Sequence, residues 1–95
     1  MMTKRVVHKY ELGTLGPCRH LKIPKRAEII SAGLQKDNFV VWALVDPGTC
    51  EYDYRDFMVA GTDWKLGSGK KVFIDTIFAG ESVWHVFEIL GKDDV

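Results

Sequence analysis

Cysteine, serine and surplus charge are all scarce in this chain. Two cysteines in 95 residues, Cys18 and Cys50, make neither a zinc site nor a disulfide scaffold at their spacing, so both are expected as free thiols. Serine occurs only at positions 31, 68 and 82, never in a nucleophile elbow. No carboxylate pair is placed for acid–base work, so no catalysis, no cofactor and no metal site are expected. Thirteen basic and thirteen acidic residues cancel, which removes any bulk attraction to nucleic acid or to a membrane surface. No run approaches the ~20 apolar residues of a membrane span, and no charged-then-apolar leader opens the chain. A cytosolic protein is therefore expected. Repeats, low-complexity segments and domain boundaries are also missing. One domain over residues 1–95 is expected, with a loose leader at 1–4 and a polar tail at 91–95.

Apolar residues are plentiful. They make up 46% of the chain, and aromatics make up 12%. Ninety-five residues bury roughly 60–65% of the surface they expose when unfolded. The organising stretch is residues 27–46, two apolar runs of strand length on either side of Asp37-Asn38. With those two residues as a hairpin turn, Leu34 faces Val41, Ala32 faces Ala43 and Ile30 faces Val45. On the other face Gly33 meets Trp42, and the missing side chain leaves room for the indole. The second run is apolar on both faces, which places it mid-sheet with both sides covered.

Residues 5–12 alternate as a half-exposed strand, with Val6, His8, Tyr10 and Leu12 on one side. A turn-rich link follows, then an edge strand at 18–23 that Pro24 ends. Residues 51–61 alternate acid and tyrosine before an apolar patch. A helix is conceivable there, but aromatic content and flanking turns favour a strand. Residues 61–71 read as a loop with Trp64 in its middle. Gly80-Glu81 fits a second two-residue turn, pairing Phe78 with Val83, Thr76 with His85, Ile74 with Phe87, Ile77 with Trp84 and Phe73 with Glu88. The expected fold is all-β, a small antiparallel β-sandwich or barrel of six to seven strands. Two doubly apolar hairpins exceed what so short a sandwich hides. A second copy of the chain is expected to cover one aromatic face, making a homo-oligomer, dimer or higher.

Candidate chemistry is thin. None of His8, His20 and His85 stands at metal-ligand spacing, and His85 opposite Thr76 reads as a hydrogen-bonded imidazole. Residues 66–71, Leu-Gly-Ser-Gly-Lys-Lys, fail the phosphate-loop pattern because Lys71 replaces the hydroxyl residue and a strand follows. What survives is an anion-cradling loop in which Lys65, Lys70 and Lys71 hold charge and Trp64 stacks on a base or sugar. The competing reading is a solvated hairpin loop with one partly buried tryptophan. Tyr52 and Tyr54 share one strand face and form either a partner-binding surface or ordinary cover for the core edge. Residues 1–27 carry seven basic side chains against Glu11 alone, a net of +6 that leaves −6 for the remainder. Either the two segments neutralise each other across strands, or they form complementary patches for self-association or a charged partner.

The blocks Trp42-Ala43-Leu44-Val45-Asp46-Pro47, Val59-Ala60-Gly61-Thr62 and Ser82-Val83-Trp84-His85-Val86-Phe87-Glu88, with Ile23-Pro24 and Ala27-Glu28-Ile29-Ile30, carry a resemblance. They resemble a family of small uncharacterised proteins encoded by phages, prophages and bacteria, over residues 4 to 88. Two departures from the family pattern are Lys25-Arg26, where a glycine is common in the turn, and Asp37-Asn38, where Asn-Gly is frequent. The resemblance implies a phage context and no activity. The expected function is a non-enzymatic phage or prophage accessory protein that binds a host protein, such as a defence component, in the host cytosol. One alternative is a binder that sequesters a nucleotide-derived signal. Another is a virion or assembly component.

Overall fold

Seven strands and no helix make up the regular structure of the described residues, 4–13 and 19–91 of a computed structural model. They are β1 (Val6–Gly13), β2 (Arg19–Pro24), β3 (Glu28–Gln35), β4 (Asn38–Val45), β5 (Tyr52–Gly61), β6 (Lys71–Ala79) and β7 (Ser82–Ile89). All pairings are antiparallel, in a three-stranded sheet β1-β4-β3 and a four-stranded sheet β2-β5-β7-β6. The two sheets pack face to face as a sandwich. The all-β expectation holds, residues 52–61 are strand rather than helix, β4 is central in its sheet and β2 lies at an edge.

Alternation explains the core. Phe39, Val41, Ala43 and Val45 point inward from β4, and Phe57 and Val59 from β5. Leu12, Ile23, Ile77 and Val86 complete the buried layer. Phe57 is wholly buried, so its truncation to alanine would cost about 3–5 kcal/mol. One end of this layer is closed by aromatics. Trp84 meets Phe39 edge to face at 5.9 Å between ring centroids, and Trp64 meets Trp84 at 5.7 Å.

The central hairpin turns one residue earlier than expected. Lys36 and Asp37 have φ of 48° and 69°, and positive φ at both central residues is the mark of a type I′ turn. Leu34 therefore faces Phe39 rather than Val41, and Ala32 faces Val41 rather than Ala43. The slip is an even number of residues, so from Ser31 to the turn and along β4 the side chains keep their expected faces. The indole of Trp42 does lie over Gly33, where a Cβ would come within 2.9 Å of it, although its ladder partner is Ser31.

Besides a register shift between Glu11 and Gly13 in β1, two bulges were not foreseen. The β3 ladder skips Ile30 and the β6 ladder skips Ile74. Beyond each one the side-chain parity reverses. Ile29 packs on the core and Ile30 is exposed; Ile30 does not meet Val45. Phe73 pairs with Phe87 rather than Glu88, and Ile74 has no partner at Phe87. From Asp75 onward the second hairpin has its expected register. The bulged strands β3 and β6 run side by side without forming a ladder. The Asp75 carboxylate bridges them, accepting from the Ala32 amide at 3.1 Å and from the Thr76 amide at 2.9 Å. Cys50 is an exposed free thiol. Cys18, the leader residues 1–3 and the tail residues 92–95 lie outside the described residues.

Candidate functional site

The loop between β5 and β6 does not gather its three lysines around Trp64. Gly61 ends β5, and the Trp64 indole folds back onto it so closely that a Cβ at Gly61 would lie 2.8 Å from Nε1. Trp64 thus lids the core through Trp84 and keeps one face open to solvent. A cavity of about 190 Å³ beside it is lined by Thr62, Trp64, Leu66, His85 and Phe87 among others. Lys65 and Lys70 are exposed but do not line it. Lys71 turns inward, donating to the carbonyls of Ser68 at 2.7 Å, Gly69 at 3.3 Å and Gly67 at 3.4 Å. Carbonyls rather than amides converge in this loop, the wrong polarity for an anion cradle.

His85 sits between two hydroxyls, Thr62 at 2.8 Å from Nε2 and Thr76 at 3.1 Å from Nδ1. A neutral imidazole satisfies both, donating to one and accepting from the other. This is the hydrogen-bonded histidine expected from its place opposite Thr76.

Tyr52 and Tyr54 both stand on the outward face of β5 and are exposed. Lys22 lies over the Tyr52 ring at 4.8 Å. His20 stacks on Tyr54 with ring centroids 4.9 Å apart and pairs with Asp56. Further along the same face, Met58, Phe87 and Phe73 form one cross-strand row, and Val83 with Phe78 another. Phe78 is 78% exposed, Tyr54 64% and Phe73 56%. The outer face of β2-β5-β7-β6 therefore exposes Tyr52, Tyr54, Phe73 and Phe78 to solvent, with His85 and Thr76 between the two aromatic rows. Sequence reasoning named only its tyrosines. The signal for the rest was six apolar residues among the nine of β6, more than a single inward face can take.

A largely buried ion pair escaped the sequence reading altogether. Arg55 points inward from β5 and grips Glu88 of β7 with two bonds of 2.6 and 2.7 Å, while its third arm donates to the Ala27 carbonyl at 2.7 Å. The bidentate bond to Glu88 holds the guanidinium pKa above its ordinary value, with burial working against it and the carboxylate charge adding to it. The available signal was Glu88, a charge at inward parity in the otherwise apolar strand β7, opposite a β5 that carries Asp53 and Arg55 at the same parity. With its hydrogen bonds made, this pair is structural. Tyr10, half-buried against the core, has its phenol pushed upward by burial and, less, by Tyr52.

The segregated charges are partly spent within the sheets, His20 with Asp56 on the neighbouring strands β2 and β5 and Arg5 with Glu28 at 3.3 Å across β4. Among the described residues no group of three or more His, Cys, Asp or Glu is placed to hold a metal ion. No helix among them is long and apolar enough to cross a membrane.

The family model described as a domain of unknown function (DUF7352) matches residues 2–93. No curated protein and no solved structure matches the chain.

Proposed function

The chain belongs to the DUF7352 family, and on that premise we propose that it is a non-enzymatic accessory protein of a phage or prophage that works by binding. It acts in the host cytosol as a homo-oligomer, and its target is a host protein. The contact surface is the outer face of β2-β5-β7-β6. One observation carries this reading. Phe78, Phe73 and Tyr54 are each more than half exposed on a single sheet face, and large apolar side chains left exposed on one face mark interaction sites. The tyrosines at one margin, flanked by Lys22, His20 and Asp56, supply the polar rim that such interfaces have.

Light scattering of the parent and of the double variant Phe73→Lys/Phe78→Lys tests the self-association. Incubation of each with host lysate tests the capture. The parent is expected to run above its monomer mass and to retain a defined host protein, and the variant to lose both. A parent that is monomeric at all working concentrations and retains nothing from lysate sinks the reading.

A further inference from the structure

At the opposite end of β5 from Trp64, a second cavity has a different character. It measures about 260 Å³ and is lined by Arg5, Lys25, Arg26, Asp46 and Thr49. Arg5 precedes β1, Lys25 and Arg26 form the turn between β2 and β3, and Asp46 and Thr49 follow β4. Three cations from two separate segments thus converge on one concavity.

The acidic member, Asp46, is fixed by its own turn and offsets one of the three positive charges. One Asp46 carboxylate oxygen accepts from the Gly48 amide at 2.9 Å, and its carbonyl accepts from the Thr49 amide at 3.2 Å. Arg5 spends one arm on Glu28 at 3.3 Å, which orients the guanidinium and leaves the rest of its donor fork for another acceptor. Lys25 and Arg26 make no ion pair with any described residue. Their turn is held by the backbone, through the Ala27 amide donating to Pro24 at 3.2 Å and the Lys25 amide to Glu51 at 2.9 Å.

Arg26 also occupies a costly conformation. Its φ is 66° at the third residue of a four-residue turn, the position that glycine fills most easily. Residues held in such conformations cluster at ligand clamps and active sites, and Arg26 is held so while lining this cavity. We propose that this cavity binds a phosphoryl group. Two guanidinium forks and an ammonium suit a tetrahedral dianion, which takes paired N–H donors from arginine and a point charge from lysine. The Thr49 hydroxyl adds a donor. The site is separate from the aromatic face, so it stands or falls independently of the function proposed above.

Calorimetric titration with inorganic phosphate and with ribose 5-phosphate, each against sodium chloride of matched ionic strength, tests the site. Phosphoryl ligands are expected to bind saturably where chloride does not. Tighter binding of ribose 5-phosphate assigns the site to an organic phosphate, and equal binding assigns it to the free anion. Arg26→Gly is the informative variant because glycine relieves the positive φ. It should match or exceed the parent in thermal stability while weakening phosphate binding at least tenfold. Lys25→Ala, which leaves the turn's backbone bonds in place, should also weaken binding severalfold. Absence of saturable phosphate binding by the parent overturns the proposal, as does full affinity in a folded Arg26→Gly variant.

Discussion

The two sheets treat their outward faces in opposite ways. On β1-β4-β3 the chain covers itself. Val40 points away from the core yet is only 1% exposed. Lys9 on one flanking strand donates to Gln35 on the other at 2.8 Å, spanning β4 at the level of Val40 according to the register. Arg5 and Glu28 make a second span near Leu44, and the Trp42 indole lies flat in the space Gly33 leaves. On β2-β5-β7-β6 no comparable spans cross the aromatic rows. Phe78 and Phe73 stand in solvent. A strand that is apolar on both sides thus needs no second molecule where long polar side chains flank it, because their methylene stems lie over the apolar groups. The face without such neighbours is the one that leaves large apolar side chains in water.

That contrast can be broken from several directions. The bare face is presented by a sheet whose inner side depends on Arg55 and Glu88. Glu88→Ala leaves a guanidinium buried without its partner and should lower unfolding free energy by about 3 kcal/mol. The paired change Arg55→Met/Glu88→Leu should recover most of that loss in urea melts. On the covered face, Gly33→Val drives a side chain into the Trp42 ring and should cost about 1–3 kcal/mol, with a shift in tryptophan fluorescence. A neutral result would show the indole to be loosely held. Lys9→Ala removes one span and should cost less, about 0.5–1 kcal/mol, while exposing Val40 to solvent. Phe78→Lys on the bare face should change stability by no more than about 0.5 kcal/mol. A large destabilisation there would mean that the chain itself depends on this phenylalanine.

The smallest effect is a pH dependence. Tyr10 has its folded pKa raised above the ordinary 10.0, so the folded state keeps the phenol proton longer than the unfolded chain does. The stability this contributes is present below pH 10.0 and is lost as pH rises through the higher folded value. Tyr10→Phe should flatten the alkaline fall in a stability–pH series. Superimposable curves would contradict the burial of this hydroxyl.

How far the sequence could be read depends on the scale of the question. Strand existence followed from alternation and turn residues, and even the one-residue error at Lys36-Asp37 left the faces from Ser31 to the turn and along β4 intact. The turn was misplaced because Asn is the commoner occupant of a positive-φ position than Lys, yet Lys36 occupies one here. Bulges carry no local signature in Ile30 or Ile74, which look like any other strand isoleucine, so the parity reversals were invisible. The Lys71 ammonium was read as reaching outward. Three carbonyls in a glycine-rich loop capture it instead, and backbone direction in a loop is not encoded by residue type. Tyr52 and Tyr54 were legible as surface because acidic neighbours interrupt them; Phe73 and Phe78 were not, since phenylalanine alone reads as core.

The bridging carboxylate of Asp75 has a consequence for how the molecule avoids its own kind. Strands β3 and β6 are sheet margins, and a margin with an idle amide is an invitation to an intruding strand. By occupying the Ala32 amide, Asp75 stoppers that rung and sets a negative charge where a foreign backbone would have to enter. An intruding strand would lose its hydrogen bond at that rung and would meet a carboxylate there, so this stretch of the border is a poor template for ladder extension.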